Sequence, residues 1–469
     1  MASRLITIRQ PALPSRSKRR TGAAALLVAS VALAAATYLL PPLIGSRPSE
    51  PAAGHAAPLP GVANPPADAV GGAAVTDDRM GVDDRIAFWT ARIQQQKSDF
   101  LSLIQLGLTY AEKGRLAADL DSYSRATESI DNALAISPSY PPAIRARAAI
   151  RFALHDFAGA EADARAVLAK APNDVDALAT LADALLELGR LDEASAQLTR
   201  LATLTVGAPI DVRMARLAYL RGDRAEALID ASRASNSTAD SDIDPATRGF
   251  YAFALGEYAR LDGRSGEARA AYEKALALRP TDLGSLVGLA RVDAANGHVD
   301  DAIARLRKAA AIAPQPETLA LLGDLLTERG DVASAKDAFA TVRAIRRLSE
   351  LAGSVYDRPL LLFELDHGGS SASLLDAARA ALATRSDAGG HDLVAWAAYR
   401  QGDFGLARSE IELALATGIR DARVLYHAGA ILIAAGDVDA GRARLSEALS
   451  LGPALGPLDT TEATRLLGR

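Results

Sequence analysis

A chain of 469 residues exceeds what one compact core holds, and aromatics at only 5% within a 49% hydrophobic composition favour closely packed helices in a modular array over a large β-sandwich. The absence of cysteine excludes a disulfide framework, a thiolate metal site and a cysteine nucleophile. The net charge of −5 hides a polarity: Arg4, Arg9, Arg16, Lys18, Arg19 and Arg20 place +6 on the first twenty residues, leaving −11 on the rest, a balance that repels nucleic-acid phosphates.

In chain order, the first element is that basic tail, residues 1–20. Residues 21–45 carry no charge, and their run AAALLVASVALAAATYLLPPLIG is long enough, at about 1.5 Å per residue, to cross a hydrocarbon core of about 30 Å. It predicts one transmembrane or signal-anchor helix in a cell membrane. Cationic flanks stay inside, so the N-terminus is expected in the cytoplasm and everything after the run outside it. Ala32-Leu33-Ala34 resembles a small-residue cleavage site and keeps a second reading open, a cleaved signal peptide and an exported soluble protein. Residues 46–82 are crowded with Pro, Ala and Gly, a composition that buries no core and predicts a disordered linker.

Beyond the linker a fixed period appears. Gly263 and Gly297, Ala268 and Ala302, Ala275 and Ala309, and Pro280 and Pro314 are each 34 residues apart, as are Gly402 and Gly436, Ala407 and Gly441, and Ala414 and Ala448. Each unit reads as an amphipathic helix, a turn at Gly, a second helix with Ala where the two axes approach, and a Pro that stops it. Leu255-Gly256, Ala268, Tyr272, Ala275 and Pro280 resemble the tetratricopeptide-repeat pattern, and Leu322-Gly323, Ala335 and Phe339 match it again. Ala259, where the family often has Tyr, and Gly441, where Ala is usual, depart from it.

The resemblance implies an all-α, right-handed superhelical solenoid of helix-turn-helix hairpins. About seven are expected over 83–347, a degenerate hairpin over 348–387, two further units over 388–453 and a capping helix over 454–469. The first unit carries Leu106-Gly107 and Tyr110, but its second helix arrives about seven residues late, which predicts lengthened helices. The turn formers of SNSTADSDIDPATRG predict a break or bend after the fourth unit. The stretch from Glu364 to Pro453 also resembles C-terminal segments of bacterial tetratricopeptide proteins, which implies a bacterial, membrane-anchored or exported member.

Such arrays hold partners on the concave wall formed by the first helices. Counting along these helices predicts Arg145, Phe152, Arg216, Tyr219, Phe253 and Glu257 on that wall in the earlier units. Arg260, Arg291, Asp324, Trp396, Tyr399 and Tyr426 follow in the later ones. Aromatics beside Arg are typical of protein-binding hot spots, and packing between repeats is the competing use of the same residues. Clamping a terminal carboxylate would require Asn from first helices, and Asn132, Asn173, Asn236 and Asn296 fall elsewhere.

For chemistry, the histidines His55, His155, His298, His367, His391 and His427 show no HExxH spacing. The nearest approach to a metal site is Glu364, Asp366 and His367 with His391, where a helix end stopped by Gly368-Gly369 is the simpler reading. P-loop, GxSxG and dinucleotide motifs are missing, so no cofactor is expected. The expected function is a non-catalytic scaffold that binds proteins or peptides, held to a membrane by its N-terminal helix. The alternative is a soluble exported protein that binds a glycan or small ligand, or a cryptic hydrolase.

Overall fold

A computed structural model describes residues 81–117, 120–238, 243–351, 358–368 and 372–468. The expected tail (1–20), membrane run (21–45) and nearly all of the linker (46–82) lie outside them. Among the described residues the regular elements are 22 α-helices and one 3₁₀ turn.

Helix α1 (Val82–Gln95) packs on the first helix of the array. Ten consecutive hairpins then follow. The first five are α2 (Phe100–Ala117) with α3 (Leu120–Ile136), α4 (Pro141–Ala153) with α5 (Phe157–Lys170), α6 (Val175–Glu187) with α7 (Leu191–Ala202), α8 (Ala208–Leu220) with α9 (Arg224–Ser237), and α10 (Pro245–Leu261) with α11 (Ser265–Leu278). The next three are α12 (Leu283–Ala295) with α13 (Val299–Ile312), α14 (Pro316–Glu328) with α15 (Val332–Leu351), and α16 (Arg358–His367) with α17 (Ala372–Thr384). The last two are α18 (Ala388–Gln401) with α19 (Phe404–Ala416) and α20 (Ala422–Ala434) with α21 (Val438–Ser450). A 3₁₀ turn (Gly452–Ala454) leads to α22 (Pro457–Leu466), which packs on α20 and α21.

Local chemistry sets these boundaries. Asp174, Asp282, Asp403 and Asp421 each accept, through the side chain, the backbone N–H three residues on, which satisfies a donor that the new helix leaves free. First helices end in a left-handed glycine, Gly222 with φ 84° and Gly436 with φ 93° among them, and the next N–H bonds back five residues, as Asp223 does to Ala218. In the second hairpin His155 takes that place with φ 63°.

The two helices of a hairpin meet where a glycine faces a large side chain. A Cβ on Gly256 would stand 2.6 Å from the Tyr272 ring, and one on Gly429 2.5 Å from Leu445. Gly323 faces Phe339 in the same way, each pair 16 residues apart. In the first hairpin Gly107 faces Ile130 at a separation of 23 residues, and its helices are correspondingly long, 18 and 17 residues against 13 and 14 in the second. The late second helix in the sequence therefore has its cause in extra helical turns that keep the same knob in the same hole.

First helices also touch one another, α2 with α4, α4 with α6, α6 with α8, and α18 with α20, so they form one continuous inner wall. Helices α9 and α10 pack together across the Ser- and Asp-rich link, and the array runs through the point where a break was expected. Asp244 caps α10 there and restarts the helix directly. Residues 348–387 hold the end of α15 and the pair α16 and α17.

The array closes on itself. Arg385, in the link before α18, donates from Nε to the Glu187 carbonyl oxygen at 2.8 Å, across 198 residues of sequence. Tyr219 donates its hydroxyl to Asp421 at 2.6 Å across 202 residues, Arg224 reaches the Arg420 carbonyl across 196, and Arg260 reaches the Pro453 carbonyl across 193. Three successive turns of one edge thus meet three successive links of the other in a single register, about six hairpins along.

Candidate functional site

Closure turns the inner wall into a network that the chain largely satisfies by itself. Among the earlier predicted residues, Arg145 pairs with Asp174 at 2.9 Å, and Phe152 packs edge-on against Phe157. Arg216 binds Glu187 at 3.1 Å, Tyr219 is committed to Asp421, and the Phe253 ring lies 6.2 Å from that of Tyr272. Glu257 accepts from Arg260 at 2.7 Å and from the Tyr272 hydroxyl.

Among the later ones, Asp324 meets His367 Nε2 at 2.7 Å. Trp396 donates from Nε1 to Asp366 at 2.8 Å, with Tyr399 stacked on it at 4.9 Å and the ring of buried Tyr426 at 5.6 Å. Arg291 alone among the twelve has no hydrogen bond or ion pair among the described residues. The structure thus unites Trp396, Tyr399 and Tyr426 as a ridge, and buries most of it. Phe152, Phe253, Trp396 and Tyr426 are less than a tenth exposed. They pack between repeats because the wall curves tightly enough to bring neighbouring first helices into contact.

The residues of the FELDHGG segment disperse. Besides the contacts just described, Glu364 pairs with Arg346 at 3.1 Å, and His391 lies 2.8 Å from Glu410. No group of three or more His, Asp or Glu side chains among the described residues is placed to hold a metal ion.

Two titratable groups show how strongly the closed wall polarises its charges. Burial opposes ionisation of Glu187, yet the guanidinium groups of Arg385 and Arg216 hold its carboxyl down at about 2. Burial likewise disfavours the charged form of His427. The charge and hydrogen bond of Asp392, 2.8 Å away, with Asp366 and Asp459 beyond, outweigh it and raise the imidazole above its ordinary value. Trp396 lies flat on the same ring at 4.0 Å.

A pKa raised in the folded state gives stability that is fully present below the unfolded value of about 6.5 and is lost as pH rises through the folded one. Denaturant midpoints should therefore fall on going from pH 6 to pH 8, and His427→Gln should flatten that slope. A parent slope unchanged by the substitution would remove the pair from the account.

Sequence reasoning missed Arg385, Asp421, Arg423 and Glu317. Asp421 and Glu317 read as helix-start acids and Arg385 as part of a link, and nothing local marks residues whose partners lie nearly 200 positions away. A register search at about six repeats is the one signal that could have found the closure pairs.

Comparison with known proteins adds a family. A family model described as tetratricopeptide repeat matches residues 151–217 and 259–325, which run from the end of α4 into α8 and from the end of α10 into α14. Among solved structures, the crystal structure of MamA protein is similar at 19% identity over 37% of this chain and 91% of that chain, with a TM-score of 0.28. No curated protein sequence matches.

Proposed function

We propose that this chain, a tetratricopeptide-repeat protein, works as a non-catalytic scaffold that holds other proteins or peptide segments along the inner wall of a right-handed superhelical array. The observation that carries this reading is the unbroken succession of ten hairpins whose first helices form one wall lined with Arg, Glu and aromatic side chains. Side chains of these types supply the anchors and charge pairs of protein interfaces. Fold alone does not assign a role, so the reading rests on that wall.

The scaffold is tethered to a bacterial cell membrane by the charge-free run 21–45, with the array outside the cytoplasm and 46–82 as its spacer. No described helix is long and apolar enough to cross a membrane, so tethering rests on that run alone. The acidic balance beyond residue 20 disfavours nucleic acid as a partner.

Crosslinking and pull-down from intact membranes, comparing the full chain with one lacking residues 1–44, tests both parts. Specific proteins captured by the full chain and lost from the truncated one are expected. Capture of none by either would overturn the scaffold, and equal capture by both would overturn the tether.

A further inference from the structure

Arg291 stands apart on the inner wall. It lies near the C-terminal end of α12, half-buried, and its guanidinium has no hydrogen bond or ion pair among the described residues. Burial, followed by the like charges of Arg260 and Arg423, draws its pKa down to about 10, against the pull of Glu257 and Glu317. Arg423, in the first turn of α20, is in the same condition. Asp459, Asp366, Asp421 and Asp392 act on it through space, yet none is within ion-pair distance of it.

Glu317 opens α14 and feels both guanidinium groups without bonding to either. Closure is what gathers these residues. The 3₁₀ turn touches α10 and α12, α22 touches α14 and α20, and the Arg260 bond to the Pro453 carbonyl holds the end of the array against its middle.

A half-buried guanidinium carries five donors, and leaving them without acceptors in a low-dielectric wall is costly. Elsewhere on this wall that cost is avoided, as where Glu257 takes Arg260 and Glu187 takes Arg216. We propose that Arg291 and Arg423, brought together by closure of the array, form a seat for a carboxylate group on a bound peptide. The planar, two-oxygen geometry of a carboxylate matches the guanidinium fork. With one carboxylate, Glu317, already shared between two guanidinium groups, and Asp459 and Asp366 close to Arg423, the seat accommodates one added negative charge better than two. That favours a carboxylate over a phosphate dianion.

The seat rests on the reading of the inner wall as the partner-binding face. The test uses thermal melting of the full chain in detergent with sodium acetate, with acetamide plus sodium chloride at matched ionic strength, and with inorganic phosphate. Acetate should raise Tm more than either alternative. Arg291→Gln or Arg423→Gln should raise the acetate concentration needed by about tenfold, the cost of a lost charge-assisted hydrogen bond. Without acetate, Arg291→Gln should melt no lower than the parent, because it removes an unpaired charge, whereas a purely structural arginine would lower Tm when replaced.

A response to acetate equal to that of acetamide, a larger response to phosphate, or a lowered Tm of the Arg291→Gln chain would each overturn the seat. Protein capture from membranes separates this failure from that of the scaffold. Capture that persists without any acetate response leaves the scaffold and removes the seat, and an acetate response without capture does the reverse.

Discussion

Replacing Gly222 with alanine should destabilise the protein far more than the same change at Gly436, although both glycines occupy the same place in their hairpins. Both hold a left-handed φ, 84° and 93°, which costs a non-glycine residue about 1–3 kcal/mol. At Gly436 nothing lies within 4 Å of the added methyl group, so that strain is the whole effect. At Gly222 the methyl would overlap the carbonyl oxygen of Gly418, a backbone atom that cannot turn aside. Forcing backbone apart adds about 1–3 kcal/mol, and relieving the overlap by separating the turns would give up the Tyr219 to Asp421 bond beside it. Urea unfolding followed by circular dichroism should place Gly222→Ala clearly below Gly436→Ala. Equal midpoints would mean that the turn at Gly222 meets nothing.

The second large effect is expected at Tyr272, which is fully buried. Its ring fills the space left by two glycines on neighbouring first helices, Gly256 of α10 and Gly288 of α12, so one side chain holds a hairpin together and joins it to the next. Tyr272→Ala should cost about 3–5 kcal/mol, the range for truncating a buried aromatic with little room to collapse. Tyr272→Phe keeps the packing and removes only the hydroxyl donated to Glu257, for a loss of about 1 kcal/mol. If both variants lost the same stability, the hydrogen bond and not the wedge would be the source. If the alanine variant lost less than the phenylalanine range, the wedge itself would be wrong.

The hairpins were legible because their determinants are local and recur. The 34-residue spacing of Gly263 and Gly297, the Leu-Gly and Tyr pairing of Gly256 with Tyr272, and the Asp residues that open helices all act within one or two turns of chain. Even the irregular first hairpin could be read, since a delay of seven residues adds whole turns and leaves Gly107 facing Ile130. The wall residues were legible as a face but not as partners. Periodicity places Tyr219 and Trp396 on the inner side, yet whether they meet a foreign protein or Asp421 and Asp366 depends on how tightly the superhelix winds. That winding sums small rotations over six hairpins, and no short segment encodes it. Arg385, buried in an unremarkable link, becomes a closure residue only through that sum.

Closure is the claim on which the inner network and the carboxylate seat depend, and it is open to direct measurement because the chain has no cysteine of its own. Spin labels attached through Arg221→Cys and Ala416→Cys would report on exposed positions flanking the Gly222 and Gly418 contact, clear of the bonded side chains of Tyr219 and Asp421. Pulsed dipolar spectroscopy should give one narrow, short-range distance distribution in the full chain. A long or broad distribution, as an open solenoid with separated turns would give, would contradict the closed array.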